Sequence, residues 1–251
     1  MPRFDTVHCN DNLSHTTMPS TTPHALIVGV GDGLSAALAR VLTHEGGYRM
    51  ALAARHSDKL SSLARELNAL ALRCDATDPA QVETMFTAVE HEFGSAPEIV
   101  IYNPGARVRG PITDVDPAAV ADALAVTAYG GFLVAQQAAR RMLPLKRGAI
   151  VFTGASASVK GYAQSAAFAM GKFALRGLAQ SLARELAPQG IHVAHVVIDG
   201  AIRNPGRSEP AEAPGSMLDP TEIARNYLHL IRQDRSAWTW EIELRPWLER
   251  F

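Results

Sequence analysis

Apolar runs of five or six residues alternate with stripes of apolar residues at helical spacing along most of the chain. Ala25-Leu26-Ile27-Val28-Gly29-Val30 is continuously apolar, the pattern of a strand buried on both faces. Leu34, Leu38, Val41 and Leu42 then repeat with helical period up to Gly46-Gly47. Residues 49–53 predict a second strand. Ser57 is a candidate cap for a helix with Leu60, Leu63 and Leu67 on one face. Residues 69–74 predict a third strand, ending at Asp75. Asp78-Pro79 starts the next helix, because a carboxylate caps it and proline suits its first position. Val82, Phe86, Val89 and Phe93 are its buried stripe and Gly94 its stop.

The same alternation continues. Residues 98–102 predict a fourth strand, and Asp116-Pro117 starts one long helix reaching Met142. A fifth strand over 149–153 is followed by a helix over 163–187, stopped by Pro188 and Gly190, and a sixth strand over 191–198. Residues 200–217 read as a Gly- and Pro-rich loop, and Asp219-Pro220 starts the last helix. In residues 238–244, Trp238, Trp240, Ile242 and Leu244 alternate with polar residues and predict a seventh strand. Strand and helix alternate without a break in composition. The fold class is therefore α/β: a single doubly wound parallel sheet of seven strands with helices on both faces. Ligands bind such sheets along the carboxyl ends of the strands. Residues 29–35, Asp75, Asn103, residues 153–158 and the 200–217 loop all fall on that rim.

Composition changes this picture little. Of 251 residues 47% are hydrophobic, enough for a sizeable core, and the formal net charge of -1 gives no basic excess for nucleic acid. Two cysteines, Cys9 and Cys74, are too few for a disulfide framework and fit a reducing, cytoplasmic setting. No apolar run approaches the roughly 18–20 residues of a membrane span. Residues 1–23 are polar, lack the apolar core of a signal peptide, and are expected to be a disordered extension before the folded 24–251. Met18, just before the folded part, is an alternative start. His8, Cys9 and His15 match no common metal-ligand spacing, and no metal site is expected.

Gly29-Val30-Gly31-Asp32-Gly33-Leu34-Ser35 joins the first strand to the first helix. There, free N–H groups and the positive helix end suit a pyrophosphate, and glycine lets it approach. Arg55 and His56 follow the second strand where a carboxylate would hold ribose hydroxyls. A cation there pairs with a 2′-phosphate, which favours NADP over NAD. Asp32 opposes that choice if its carboxylate faces the same pocket.

These residues resemble the short-chain dehydrogenase/reductase family. Gly29-x-x-x-Gly33-Leu34-Ser35 looks like its glycine motif, with Ser35 where a third glycine usually stands. Cys74-Asp75 looks like its adenine-contacting strand end, and Tyr102-Asn103-Pro104-Gly105 like its Asn-Asn-Ala-Gly. Residues 184–193 resemble a common family segment. The resemblance spans about residues 24–245 and implies a Rossmann domain, a nicotinamide cofactor touching Gly29, Gly31, Asp32, Gly33, Leu34, Arg55, Asp75, Asn103, Gly105 and Lys172, a small-molecule substrate, and a homodimer or homotetramer. Family members protonate the substrate oxygen with the tyrosine of Tyr-x-x-x-Lys, because hydride transfer to a carbonyl leaves an alkoxide. In Phe168-Ala169-Met170-Gly171-Lys172 the lysine is present and the tyrosine is Phe168. The serine position falls on Ala155, with Ser156 and Ser158 adjacent. The asparagine position falls near Thr127, and Asp199-Gly200 replaces the usual Pro-Gly. The chain looks like an atypical bacterial branch of the family.

Each site residue has a plainer reading. Phe168 is either a core residue on the Gly171, Leu175, Leu178, Leu182 stripe or a ring facing substrate. Lys172 needs a partner if buried, a ribose hydroxyl or a carboxylate. Ser156 either binds substrate or closes its own turn. Tyr162, the nearest phenol, is a candidate proton donor off the helical register. Asp199 reads as structural. The expected function is an NAD(P)-dependent oxidoreductase acting on a small carbonyl or alcohol, or an activated alkene, with a non-standard proton donor. The alternative is a cofactor-binding sensor or partner subunit without turnover.

Overall fold

A computed structural model describes residues 22–249. The expected disordered extension over 1–23, with its candidate start Met18 and with Cys9, lies almost wholly outside the described residues. Seven strands form one parallel sheet in the order β3-β2-β1-β4-β5-β6-β7. They are β1 (His24–Val28), β2 (Arg49–Ala54), β3 (Leu70–Arg73), β4 (Ile99–Tyr102), β5 (Ala149–Thr153), β6 (His192–Ile198) and β7 (Glu241–Leu244). The chain reverses direction across the sheet between β1 and β4, so a crevice opens beyond their carboxyl ends.

Alternate residues of the five inner strands feed two separate cores, and the edge strands β3 and β7 feed one each. Ala25 and Ile27 face one side, with helices α1 (Leu34–His44), α2 (Ser61–Leu67) and α7 (Pro220–Ile231). Leu26 and Val28 face the other, with α3 (Pro79–Phe93), α5 (Gly130–Met142) and α6 (Ala166–Leu186). Both sheet faces are covered, which is why the strand sequences are apolar without alternation. The three Asp-Pro signals all start helices: Asp78, Asp116 (before α4, Pro117–Leu124) and Asp219 each accept a first-turn N–H. Gly94 ends α3 at φ 77.

Four expectations are corrected. Ser57 does not cap an α-helix; it opens a 3-10 turn, Ser57–Leu60, and α2 follows. The helix expected to run unbroken from 117 to 142 contains a π-helical turn, Ala125–Tyr129. There Tyr102, rising from β4, donates its hydroxyl to Val126 O at 2.5 Å, and a Cβ at Gly130 would lie 2.5 Å from that hydroxyl. Strand β7 starts at Glu241, not at residue 238. Trp238 instead stacks on His192 at 4.9 Å and donates its indole N–H to Gln233 O. Lastly, Pro117–Leu145 is long and apolar enough to cross a membrane, with mean hydropathy 1.6. Its Leu133, Val134, Ala138 and Met142 are buried against the sheet.

Candidate active site

The glycine turn begins where β1 ends. Gly29 has φ +82, a left-handed conformation, and a Cβ on it would lie 2.6 Å from the Pro104 ring. Only glycine fits both demands. Ser35, in the place of a third glycine, is buried and donates to Gly29 O at 3.0 Å. Asn103, at the end of β4, donates to the Ser35 hydroxyl at 2.6 Å. The serine thus ties the turn to β4, so its bulk is used.

A cleft of about 480 Å³ lies along this turn. Gly29, Gly31, Asp32, Arg55, Asp75, Asn103 and Gly105 all line it, so the structure brings together most of the predicted cofactor set. Gly33, Leu34 and Lys172 do not line it: Gly33 caps α1, Leu34 is buried in the core, and Lys172 is buried behind Gly105. Nothing stands within 4 Å of a Cβ built on Gly31, which leaves that side of the turn open. His56 and Lys59 join Arg55 on one wall. Lys59 was not anticipated; its position on the 3-10 turn after β2 was the available signal. Asp32 faces the same cleft, as the argument against NADP required. Asp75 spends one carboxylate oxygen on the Thr77 N–H and hydroxyl. Burial pushes the Cys74 thiol on the cleft wall up to about 11, leaving it inert.

Lys172 stands where the cleft ends. It is 4% exposed, and a Cβ on Gly105 would lie 3.3 Å from its Nζ. Its partner is the Thr153 carbonyl at the end of β5, 2.7 Å away, and not a carboxylate. Burial, with the nearby Arg107 charge, lowers its pKa to about 7. Thr127, on the π turn, is buried and accepts the Ala106 N–H at 3.1 Å, and a Cβ on Gly171 would lie 2.9 Å from it.

Beyond Lys172 a second pocket of about 320 Å³ is lined by Arg107, Arg109, Ser156, Tyr162, Ser165 and Phe168. Phe168 is half-buried and lines this pocket, so it is not a plain core residue. Two cations stand near its ring, with the Arg107 guanidinium 4.4 Å and the Lys172 ammonium 6.0 Å from its centroid. Ser156 and Tyr162 reach the same pocket. Ser158 does not; it is fully buried and accepts the Ala155 N–H. Asp199 is buried and paired with Lys160 at 3.1 Å and Arg245 at 3.4 Å, a structural role. Lys160 is held above its usual pKa first by Asp199, and then by Tyr162 beside it. Sequence reasoning missed Arg107 and Arg109, because loop arginines carry no periodic signal.

Behind the site, His195 is fully buried between β5 and β7. Its Nδ1 lies 3.0 Å from Glu241, which also takes both forks of Arg176. Burial lowers its pKa to about 4 despite Glu241. Among the described residues, no group of three metal-ligating side chains comes together.

The short chain dehydrogenase family profile matches residues 23–209. An uncharacterized oxidoreductase of Staphylococcus aureus strain N315 is 28% identical over 228 residues, 88% of this chain and 96% of that protein. The crystal structure of a short-chain dehydrogenase from Rhodopseudomonas palustris shares 33% identity and a TM-score of 0.77, covering 90% of this chain and 99% of that one. A metagenomic short-chain oxidoreductase in complex with NADP shares 26% identity and a TM-score of 0.78, covering 91% and 99%. By that profile and these likenesses, this chain belongs to the short-chain dehydrogenase family.

Proposed function

We propose that the protein is an NADP-dependent oxidoreductase of a small carbonyl or alcohol, with a rearranged proton donor. The observation that carries this reading is Lys172. It is buried beside Gly105 of the nucleotide cleft and Phe168 of the second pocket, and among the described residues its ammonium has one acceptor, Thr153 O. Burying a lysine there costs stability, and a ribose hydroxyl would take its remaining N–H groups. Asn103 and Ser35 hold the glycine turn in shape, and the open side at Gly31 admits a pyrophosphate. Arg55 and Lys59 supply two cations for a 2′-phosphate, on one wall of a cleft that Asp32 and Asp75 also line. The NADP complex of the similar metagenomic protein supports that preference.

Nicotinamide supplies or accepts the hydride when bound. The chain must then manage a proton at the substrate oxygen. Phe168 has none to give. Ser156 lines the pocket with a hydroxyl that makes no hydrogen bond among the described residues, so it is free to hold that oxygen. Tyr162 lines the same pocket with Lys160 beside it, so its phenol is the proton donor in this reading. Exposed Tyr129 and Phe132 on the α5 side and Met170 and Phe173 on α6 support a homodimer or homotetramer.

The second reading, a cofactor-binding subunit without turnover, is favoured by the phenyl ring at 168 itself. NADPH and NADH titrations by fluorescence, then turnover on a carbonyl panel, separate the two. Wild-type turnover lost in Lys172→Ala and in Tyr162→Phe supports the oxidoreductase. Binding without turnover, with activity gained in Phe168→Tyr, supports the subunit.

A further inference from the structure

The second pocket has a charge that proton transfer does not explain. Arg107 and Arg109 line it, and Arg207, from the 200–217 loop, is close enough to act on Arg107 electrostatically. Among the described residues no carboxylate lies within 4.0 Å of any of these three guanidinium groups. Arg40, Arg141, Arg176 and Arg225 each hold one elsewhere on the molecule. The loop carrying the two arginines is braced at both ends. Ala106 N–H donates to the Thr127 hydroxyl, and Gly110 N–H donates to Gln164 O at 3.1 Å. Gln164 itself is held in the left-handed region at φ 57. Arg107 is further fixed by stacking over Phe168. Burial lowers the Arg107 pKa, and Arg109 and Arg207 lower it further.

Like charges gathered on a fixed loop, with no internal counter-charge, are stabilised by an anion from outside. Guanidinium groups match the planar, forked oxygens of a carboxylate or phosphate. We propose that the substrate carries an oxyanion, bound by Arg107 and Arg109, and that the reacting carbonyl or alcohol lies at the Lys172 end of the same pocket. The substrate class is thus a small oxo acid or hydroxy acid, or a phosphorylated ketone. This rests on the oxidoreductase reading for the reaction, but not for the binding.

The test uses the full chain loaded with oxidised NADP, which cannot reduce a carbonyl, and matched ligand pairs. Phenylpyruvate and 2-oxoglutarate are each compared with their methyl esters, and dihydroxyacetone phosphate with dihydroxyacetone, by calorimetry and by thermal shift. The expected result is a charged ligand binding about 10- to 100-fold tighter than its neutral partner. The pair that shows it separates carboxylate from phosphate. That preference falls toward unity in Arg107→Gln/Arg109→Gln and is partly kept in Arg107→Lys. Arg109→Gln alone, at an exposed side chain, lowers it in part and covers the case in which the double variant does not fold. Solvated arginines only, with no charged ligand preferred or with the preference intact in the double variant, overturns the inference. NADPH binding is followed separately by its fluorescence. Normal NADPH binding without an anion preference sinks this inference alone. An arginine-dependent preference in a protein that never turns over supports it and counts against the oxidoreductase reading.

Discussion

Two halves of the same rim are built differently. The nucleotide half, beyond β1 and β4, is made from backbone: a left-handed Gly29, the open Gly31, and a turn tied by Ser35 and Asn103. The other half, beyond β5 and α6, is made from side-chain ends brought together from two loops and a helix: Arg107, Ser156, Tyr162, Phe168 and Lys172. In the first half the departure from the glycine motif, Ser35, is compensated by two hydrogen bonds. In the second the departures change what chemistry is on offer. A backbone site tolerates only residues that keep its geometry, whereas a side-chain site is remade by single substitutions.

The largest expected effect comes from breaking the backbone half. Gly29→Ala adds a methyl group where φ is +82 and Pro104 stands 2.6 Å away. It should cost about 2–4 kcal/mol in urea unfolding and abolish saturable NADPH binding. An unchanged NADPH titration would show that the turn is not a nucleotide cradle.

Lys172 joins the two halves, and Lys172→Met should lower kcat/KM by about 100-fold or more. Its burial also sets a pH signature in the cofactor-free protein. The folded lysine titrates at about 7 and the unfolded one near 10.4, so between those values the unfolded chain holds the extra proton. Stability therefore rises with pH across that window, and the burial penalty is complete below pH 7. Lys172→Met should be more stable than wild type at pH 6, with the gain shrinking as pH approaches 10. A gain independent of pH would mean that the folded lysine titrates like the unfolded one, so that burial does not lower its pKa.

A smaller effect sharpens the cofactor side. Arg55→Ala with Lys59→Ala should cut the ratio of NADPH to NADH affinity by about tenfold, one to two lost charge-assisted contacts. A ratio that stays put would assign both cations to solvent. The smallest effect lies behind the pocket. His195 titrates at about 4 when folded and near 6.5 when unfolded, so stability should fall as pH drops from about 6.5 to 4. His195→Gln should flatten that limb of a melting-temperature profile, and an unchanged slope would assign the acid loss to carboxylates.

The sequence carried the fold wherever local chemistry and tertiary packing agree. Each Asp-Pro start and the Gly94 stop held, because a cap and its helix are neighbours in sequence. Departures came where a distant residue intervened. The π turn at Thr127 is joined to Tyr102 by a hydrogen bond, and Trp238, before the late start of β7, stacks on His192, both contacts invisible to periodicity. The same divide separates the two sites. The glycine turn could be read from seven consecutive residues. The second pocket could not, because Arg107 and Phe168 lie 61 positions apart and meet only in the folded chain.

The most direct measurement is one fluorescence titration of NADPH and NADH into the full-length protein, followed on the same samples by turnover with oxo acids and neutral ketones. A working nucleotide half beside a rebuilt proton half predicts saturable binding, NADPH ahead of NADH, and wild-type turnover that Lys172→Met removes. Failure of both cofactors to bind at millimolar concentration would contradict it.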